Sequence, residues 1–154
     1  MKCIEYSQFV PGNINEVWDF FSSPANLSKI TPPEMGFIIT SPLQSTMYPG
    51  MFITYKVSPA LGIKLKWVTE ITQVSDKKFF IDEQRSGPYS IWHHEHHFKE
   101  VNGGVEMHDI LYYQAPFGFL GKLAELIFVN NKVKQIFNFR EKRINELFPV
   151  KKWS

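Results

Sequence analysis

Cysteine is almost absent from this sequence. Cys3 stands alone, so no internal disulfide framework can form. Long apolar runs are missing as well. The best candidate, Leu120 to Val129, is broken by Lys122 and Glu125 and falls short of the ~18 residues of a membrane span. Neither sign of charge dominates: 17 Lys and Arg face 15 Asp and Glu, and a formal +2 is too small for a nucleic-acid or membrane footprint. The first residues show no basic stretch followed by an apolar run and a cleavage site, so the expectation is a reducing, cytoplasmic setting. Repeats, linkers and low-complexity segments are lacking too, and residues 1–154 are read as one domain, a monomer or weak homodimer.

Aromatic residues are what the chain has in excess. They make up 16% of it, with 14 Phe, and such a load suits either a bulky core or the wall of a cavity. Lys2 to Val10 alternates loosely through Ile4, Tyr6, Phe9 and Val10 and reads as a strand closed by Pro11 and Gly12. Asn13, with Glu16 three residues on, predicts a capped short helix through Val17, Trp18, Phe20 and Phe21. Ser23 is expected to cap a second short helix that starts at Pro24 and ends at Pro32 and Pro33.

From Phe37 to Tyr113 extended segments are separated by turn residues at Pro49-Gly50, Pro59 to Gly62, Ser75 to Lys77, Gly87-Pro88 and Asn102 to Gly104. This spacing predicts an antiparallel meander. After Pro116 the period changes: Leu120, Leu123, Ile127, Asn130, Phe137, Ile144 and Phe148 recur at helical steps. The expectation is an amphipathic helix of about 28 residues, roughly 42 Å long, and an α+β layout in which that helix covers one sheet face.

Alternation can be followed through three successive strands. Phe80, Asp82 and Gln84 share a face; so do Trp92, His94, His96 and Phe98, and then Met107, Asp109, Leu111 and Tyr113. The opposite faces carry Glu83, Arg85, His93, Glu95, His97, Lys99, Glu106 and His108, residues that suit solvent. Asp82, Gln84, His94, His96 and Asp109 are therefore expected to point inward among aromatics, where polar groups need partners. Three uses fit them: a satisfied network that fixes register, a patch that orients a ligand, or acid and base work by His94, His96 and Asp109. In a strand only alternate members of the run His93 to His97 share a face, so His94 and His96 with Asp82 or Asp109 are the most a metal would find. The expectation is no resident metal or other cofactor, with the outward His93 and His97 able to scavenge ions. Arg140 lies on the apolar stripe of the last helix, placed to snorkel, to pair with a buried carboxylate or to meet an anionic ligand group.

Several of these residues together resemble the START-like, or Bet v 1-like, superfamily, also called SRPBCC proteins, and in particular a bacterial branch labelled polyketide cyclase-like or coenzyme Q-binding-like. The resemblance runs through Pro11, Val17 to Phe21, Leu27 to Pro33, Gly36-Phe37, Trp67, Phe80, Asp82, Gln84 and Gly87-Pro88-Tyr89. It continues through Trp92, His94, His96, Phe98, Met107, Asp109, Tyr113, Pro116, Gly118 and Arg140. It implies a helix-grip fold: about seven curved antiparallel strands wrapped around a long C-terminal helix, with two short helices after the first strand and a deep cavity within. It also implies binding of a lipid, quinone, polyketide or sterol-like molecule, and it carries no reaction.

The leading expectation is thus a binding or carrier protein for a small hydrophobic molecule with one polar end. No nucleic-acid partner or integral membrane segment is expected, with transient membrane contact left open. Trp67, Phe80, Trp92, Phe98, Met107 and Tyr113 are expected to line or floor the cavity, and Asp82, Gln84, His94, His96 and Asp109 to form its polar spot. The alternatives are a cyclase, dehydratase or hydrolase using the same pocket, and a regulatory interaction module. The junction Gln114 to Gly121, beside the loop Ser86 to Tyr89, is read either as a gate with Phe117 and Phe119 as its lip or as packing under the helix start.

Overall fold

The computed structural model describes residues 1–42, 44–58, 64–116 and 130–149. Seven strands form one antiparallel sheet in the order β1-β7-β6-β5-β4-β3-β2. They are β1 (Lys2–Pro11), β2 (Ile38–Ile39), β3 (Met51–Val57), β4 (Leu65–Ser75), β5 (Phe79–Ser86), β6 (Ile91–Val101) and β7 (Gly104–Gln114). From β2 to β7 each strand pairs with its successor, as the regular turn signals predict. The exception is β1, which closes the order beside β7 along its whole length, from Lys2 opposite Tyr113 to Pro11 opposite Gly104. The tight turn between β6 and β7 depends on Gly103, whose φ of +82° suits a residue without Cβ.

Helix α1 (Ile14–Phe21) begins as predicted: the Asn13 side chain accepts the amide proton of Glu16 at 3.0 Å. The next segment departs from expectation. Pro24–Ile30 is a 3-10 helix, and the Ser23 hydroxyl makes no capping bond. Pro24 brings no amide donor and Pro32 bars Thr31 from helical backbone, so few residues remain for α-type bonds. A further 3-10 turn, Pro33–Met35, ends at Gly36 in the left-handed region (φ +53°).

The described part of the C-terminal helix, α2 (Asn130–Leu147), lies against the inner sheet face. Its predicted beginning, including Leu120, Leu123 and Ile127, lies outside the described residues, as do the Pro59 to Gly62 turn and Phe117 and Phe119 of the junction. Val133, Phe137 and Ile144 are buried at helical spacing. Strand β1 ties the helix down: Tyr6 hydroxyl bonds the Glu141 carboxylate, and Gln8 Nε2 donates to Glu141 O at 3.1 Å and Asn145 Oδ1 at 3.3 Å. A curved sheet with one helix gripped on its concave face is the α+β helix-grip layout. No described helix is long and apolar enough to cross a membrane.

At one end of this layer α1 plugs the core. Trp18 meets Phe98 edge-on at 5.4 Å and Phe80 at 6.1 Å, geometries aromatic quadrupoles favour.

Candidate functional site

Between the sheet and α2 lies a cavity of about 150 Å³. Its walls come from four directions. Strands β3 and β4 supply Ile53, Tyr55, Val57, Trp67, Thr69 and Ile71; β5 and β6 supply Phe80, Asp82, Trp92, His94 and His96. The segment from Phe20 to Phe37 contributes Leu27, Ile30 and Met35 among others, and α2 contributes Lys132, Ile136 and Arg140, one turn apart.

The strand alternation explains the sheet side. Met51, Ile53, Tyr55 and Val57 of β3 are buried while Phe52 points out, and β6 buries His94, His96 and Phe98. His94 and His96 are each 5% exposed, whereas His93 and His97 lie on the outer face beside Glu83 and Glu95, so the register is as predicted. Pairing sets Asp82 opposite His94, and His96 opposite Asp109.

Most of the wall is apolar or has its polar atoms already engaged. Thr69 Oγ1 receives the Trp67 indole N–H at 3.1 Å and lies 2.8 Å from the Tyr55 hydroxyl. Burial raises the Tyr55 pKa and keeps that hydroxyl neutral. Trp67 and Trp92 meet at 89° with centroids 5.2 Å apart, and Tyr89 closes the corner 4.8 Å from Trp92.

One region is different. His96 Nε2 bonds Asp82 Oδ2 at 2.9 Å, and His94 Nδ1 lies 3.8 Å from the same oxygen. Behind them Asp109, 3% exposed, places Oδ1 2.6 Å from His96 Nδ1, 3.2 Å from His94 Nε2 and 3.8 Å from Arg140 Nη1. These contacts are close, yet their angles miss hydrogen-bond alignment, and Asp109 Oδ1, His94 Nε2, His96 Nδ1 and Arg140 Nε and Nη1 are buried without a bonded partner.

The electrostatics follow from that geometry. Burial works to raise the Asp109 carboxyl, but the His96 charge and the contacts with both imidazoles hold it well below the usual carboxylate range. Asp82 behaves likewise, burial opposing and the His96 bond lowering it. Burial also opposes a proton on His96, yet Asp109 and Asp82 raise its pKa above the ordinary imidazole value. His94, desolvated and next to His96, is lowered.

Of the predicted residues, Trp67, Phe80, Asp82, Trp92, His94, His96 and Arg140 reach the cavity wall. Five do not. Gln84 is spent on a turn: its amide donates to Tyr89 O at 2.5 Å and accepts the Tyr89 amide proton at 3.2 Å. Phe98 packs under α1, and Met107 and Tyr113 are fully buried within the sheet layer. Asp109 stands behind the histidines rather than facing the cavity. Sequence reasoning missed the β3 residues, whose strict alternation was there to read, and the 3-10 segment and Lys132 and Ile136, which carried no such signal.

Neither a protein-family model nor a curated protein matches the sequence. Solved structures share the fold. The crystal structure of protein Ms6760 from Mycobacterium smegmatis superposes with a TM-score of 0.67 over 94% of this chain and 92% of that one, at 16% identity. The solution structure of a protein from Arthrobacter aurescens gives 0.66 over 94% and 86%, at 13% identity. A nucleoside-diphosphate sugar epimerase from Corynebacterium glutamicum gives 0.63 over 93% of this chain but 28% of that one, at 17% identity. At these identities the likeness shows the fold alone.

Proposed function

We propose that this chain binds a small, largely apolar molecule in the cavity between sheet and helix, with the polar end of that molecule at the Asp82, His94, His96 and Arg140 region. A place among START-like carriers, as the sequence resemblance implies, belongs to the same proposal. One observation carries it: a protein interior close to crystal density leaves a space of about 150 Å³ lined mainly by Ile, Val, Met, Phe and Trp, with Asp82, His94, His96 and Arg140 grouped in its wall. Unfilled apolar volume is destabilising, and a dry cavity of ~150 Å³ holds a single benzene ring, so the buried part of the occupant is about the size of one ring or a short acyl segment. Apolar burial supplies the affinity, and the polar region sets the orientation.

The indole side chains provide the test. Titration of 15N-labelled protein with menadione and with decanoate is expected to shift the Trp67 and Trp92 Nε1–H signals, which sit in the cavity wall, while Trp18, which α1 inserts between Phe80 and Phe98, stays in place. Shifts confined to Trp18 or to surface amides would contradict the reading.

A further inference from the structure

The two inward imidazoles are disposed alike, each with one nitrogen toward Asp82 and the other toward Asp109. On the Asp82 side, Oδ2 lies 2.9 Å from His96 Nε2 and 3.8 Å from His94 Nδ1, and one donor atom from each of the three residues falls within 4.8 Å of the others. On the far side, Asp109 Oδ1 stands 3.2 Å from His94 Nε2 and 2.6 Å from His96 Nδ1, and all three atoms are buried without an aligned hydrogen bond.

This is the pattern in which a ligating histidine coordinates through one nitrogen and turns the other N–H to a carboxylate that fixes its tautomer. When an ion displaces the proton that His96 Nε2 shares with Asp82, and protons stay on the remote nitrogens, His94 Nδ1, His96 Nε2 and the Asp82 oxygen converge as three electron donors. An ion at ~2.1 Å from each needs the donors roughly 3.4 Å apart; the two separations from Asp82 Oδ2 bracket that value, and the two imidazole nitrogens lie within 4.8 Å of each other. Two imidazoles and one carboxylate suit first-row divalent ions. The two aspartates balance the double charge, and Arg140 beside Asp109 completes the polar group.

We propose that Asp82, His94 and His96 bind a divalent transition-metal ion, held in place by Asp109 and keeping an open position toward the cavity. All three ligands line the cavity, so the open position takes an oxygen of the occupant, a carboxylate or carbonyl. The site stands on the cluster itself rather than on the ligand-binding reading. Ion binding without menadione or decanoate binding, or the reverse, separates the two.

The outer face is the rival location, because His93 and His97 flank Glu95 at 3.3 and 2.8 Å. Calorimetry of chelator-stripped full-length protein with Zn2+ decides between them. The expected result is one ion per chain at micromolar affinity or tighter, kept in the His93→Gln/His97→Gln double variant. Affinity falls at least ~100-fold in Asp82→Asn and in His94→Gln, and about 10- to 100-fold in Asp109→Asn. Circular dichroism checks that each variant folds. Wild-type protein loaded with Co2+ gives an answer independent of any variant: paramagnetic shifts centre on Phe80 and Trp92, whose rings lie 4.3 Å from His96 and 6.4 Å from His94, and spare Tyr112, which neighbours His93. No binding at millimolar Zn2+, loss of the ion in the His93 and His97 variant, or shifts centred on Tyr112 would each overturn the site.

Discussion

At the scale of single residues, the two aspartates of the inner face do different work. Asp109 is buried against His94, His96 and Arg140, while Asp82 keeps 18% of its side chain exposed at the cavity edge. Removing one partner from a buried charge cluster leaves the others uncompensated, which costs about 3 to 5 kcal/mol. Asp109→Asn should therefore lower the urea unfolding free energy by that amount with an unchanged denaturant slope. Asp82→Asn loses chiefly one charged hydrogen bond, worth about 1.5 to 3 kcal/mol. Equal losses in the two variants would show that depth does not separate them. The inward direction of both, and of His94 and His96, was legible from alternation alone. Their depth was not, because period-two spacing names a face and says nothing of what covers it. Gln84 shows the same limit: it points inward as expected, then turns to clamp Tyr89, a contact decided by the Gly87-Pro88 turn.

At the scale of elements, aromatic residues divide by what stands on their face of the strand or helix. Trp18 is 4% exposed between Phe80 and Phe98, whereas Phe52 on β3 is 54% exposed. Trp18→Ala should cost about 3 to 5 kcal/mol in thermal or urea unfolding, since it empties the end of the core that α1 plugs. Phe52→Ala should change stability by no more than about 0.5 kcal/mol. A large loss for Phe52 would place β3 the other way round. The helix α2 carries two stripes, Val133, Phe137 and Ile144 into the core and Lys132, Ile136 and Arg140 along the cavity. The first is apolar enough to be read from the sequence, and of the second only Arg140 is singled out there, on the apolar stripe rather than beside it. Lys132 is indistinguishable there from any solvent-facing lysine. The 3-10 segment was similarly obscured, because its caps match those of an α-helix and the difference lies in the backbone limits at Pro24 and Pro32.

At the scale of the whole molecule, the order of strands followed from turn chemistry and the placing of one amphipathic helix from its period. The pairing of β1 with β7 joins the first and last strands, far apart in the sequence, and no local signal encodes it. The cavity is a property of the assembly: its walls come from β3 to β6, the segment from Phe20 to Phe37 and α2, and no single stretch of sequence encodes it. Filling it by substitution is thus the sharpest intervention. Val57 lines the cavity and is 3% exposed, so Val57→Phe adds a ring where the occupant belongs while leaving the polar group untouched. The deciding measurement is native mass spectrometry of wild-type and Val57→Phe protein after incubation with a bacterial lipid and small-molecule extract. The account predicts one small-molecule adduct on the wild type and its loss from a variant that keeps its circular dichroism and melting temperature. No adduct on the wild type, or the same adduct at the same occupancy on both, would contradict a ligand held in this cavity.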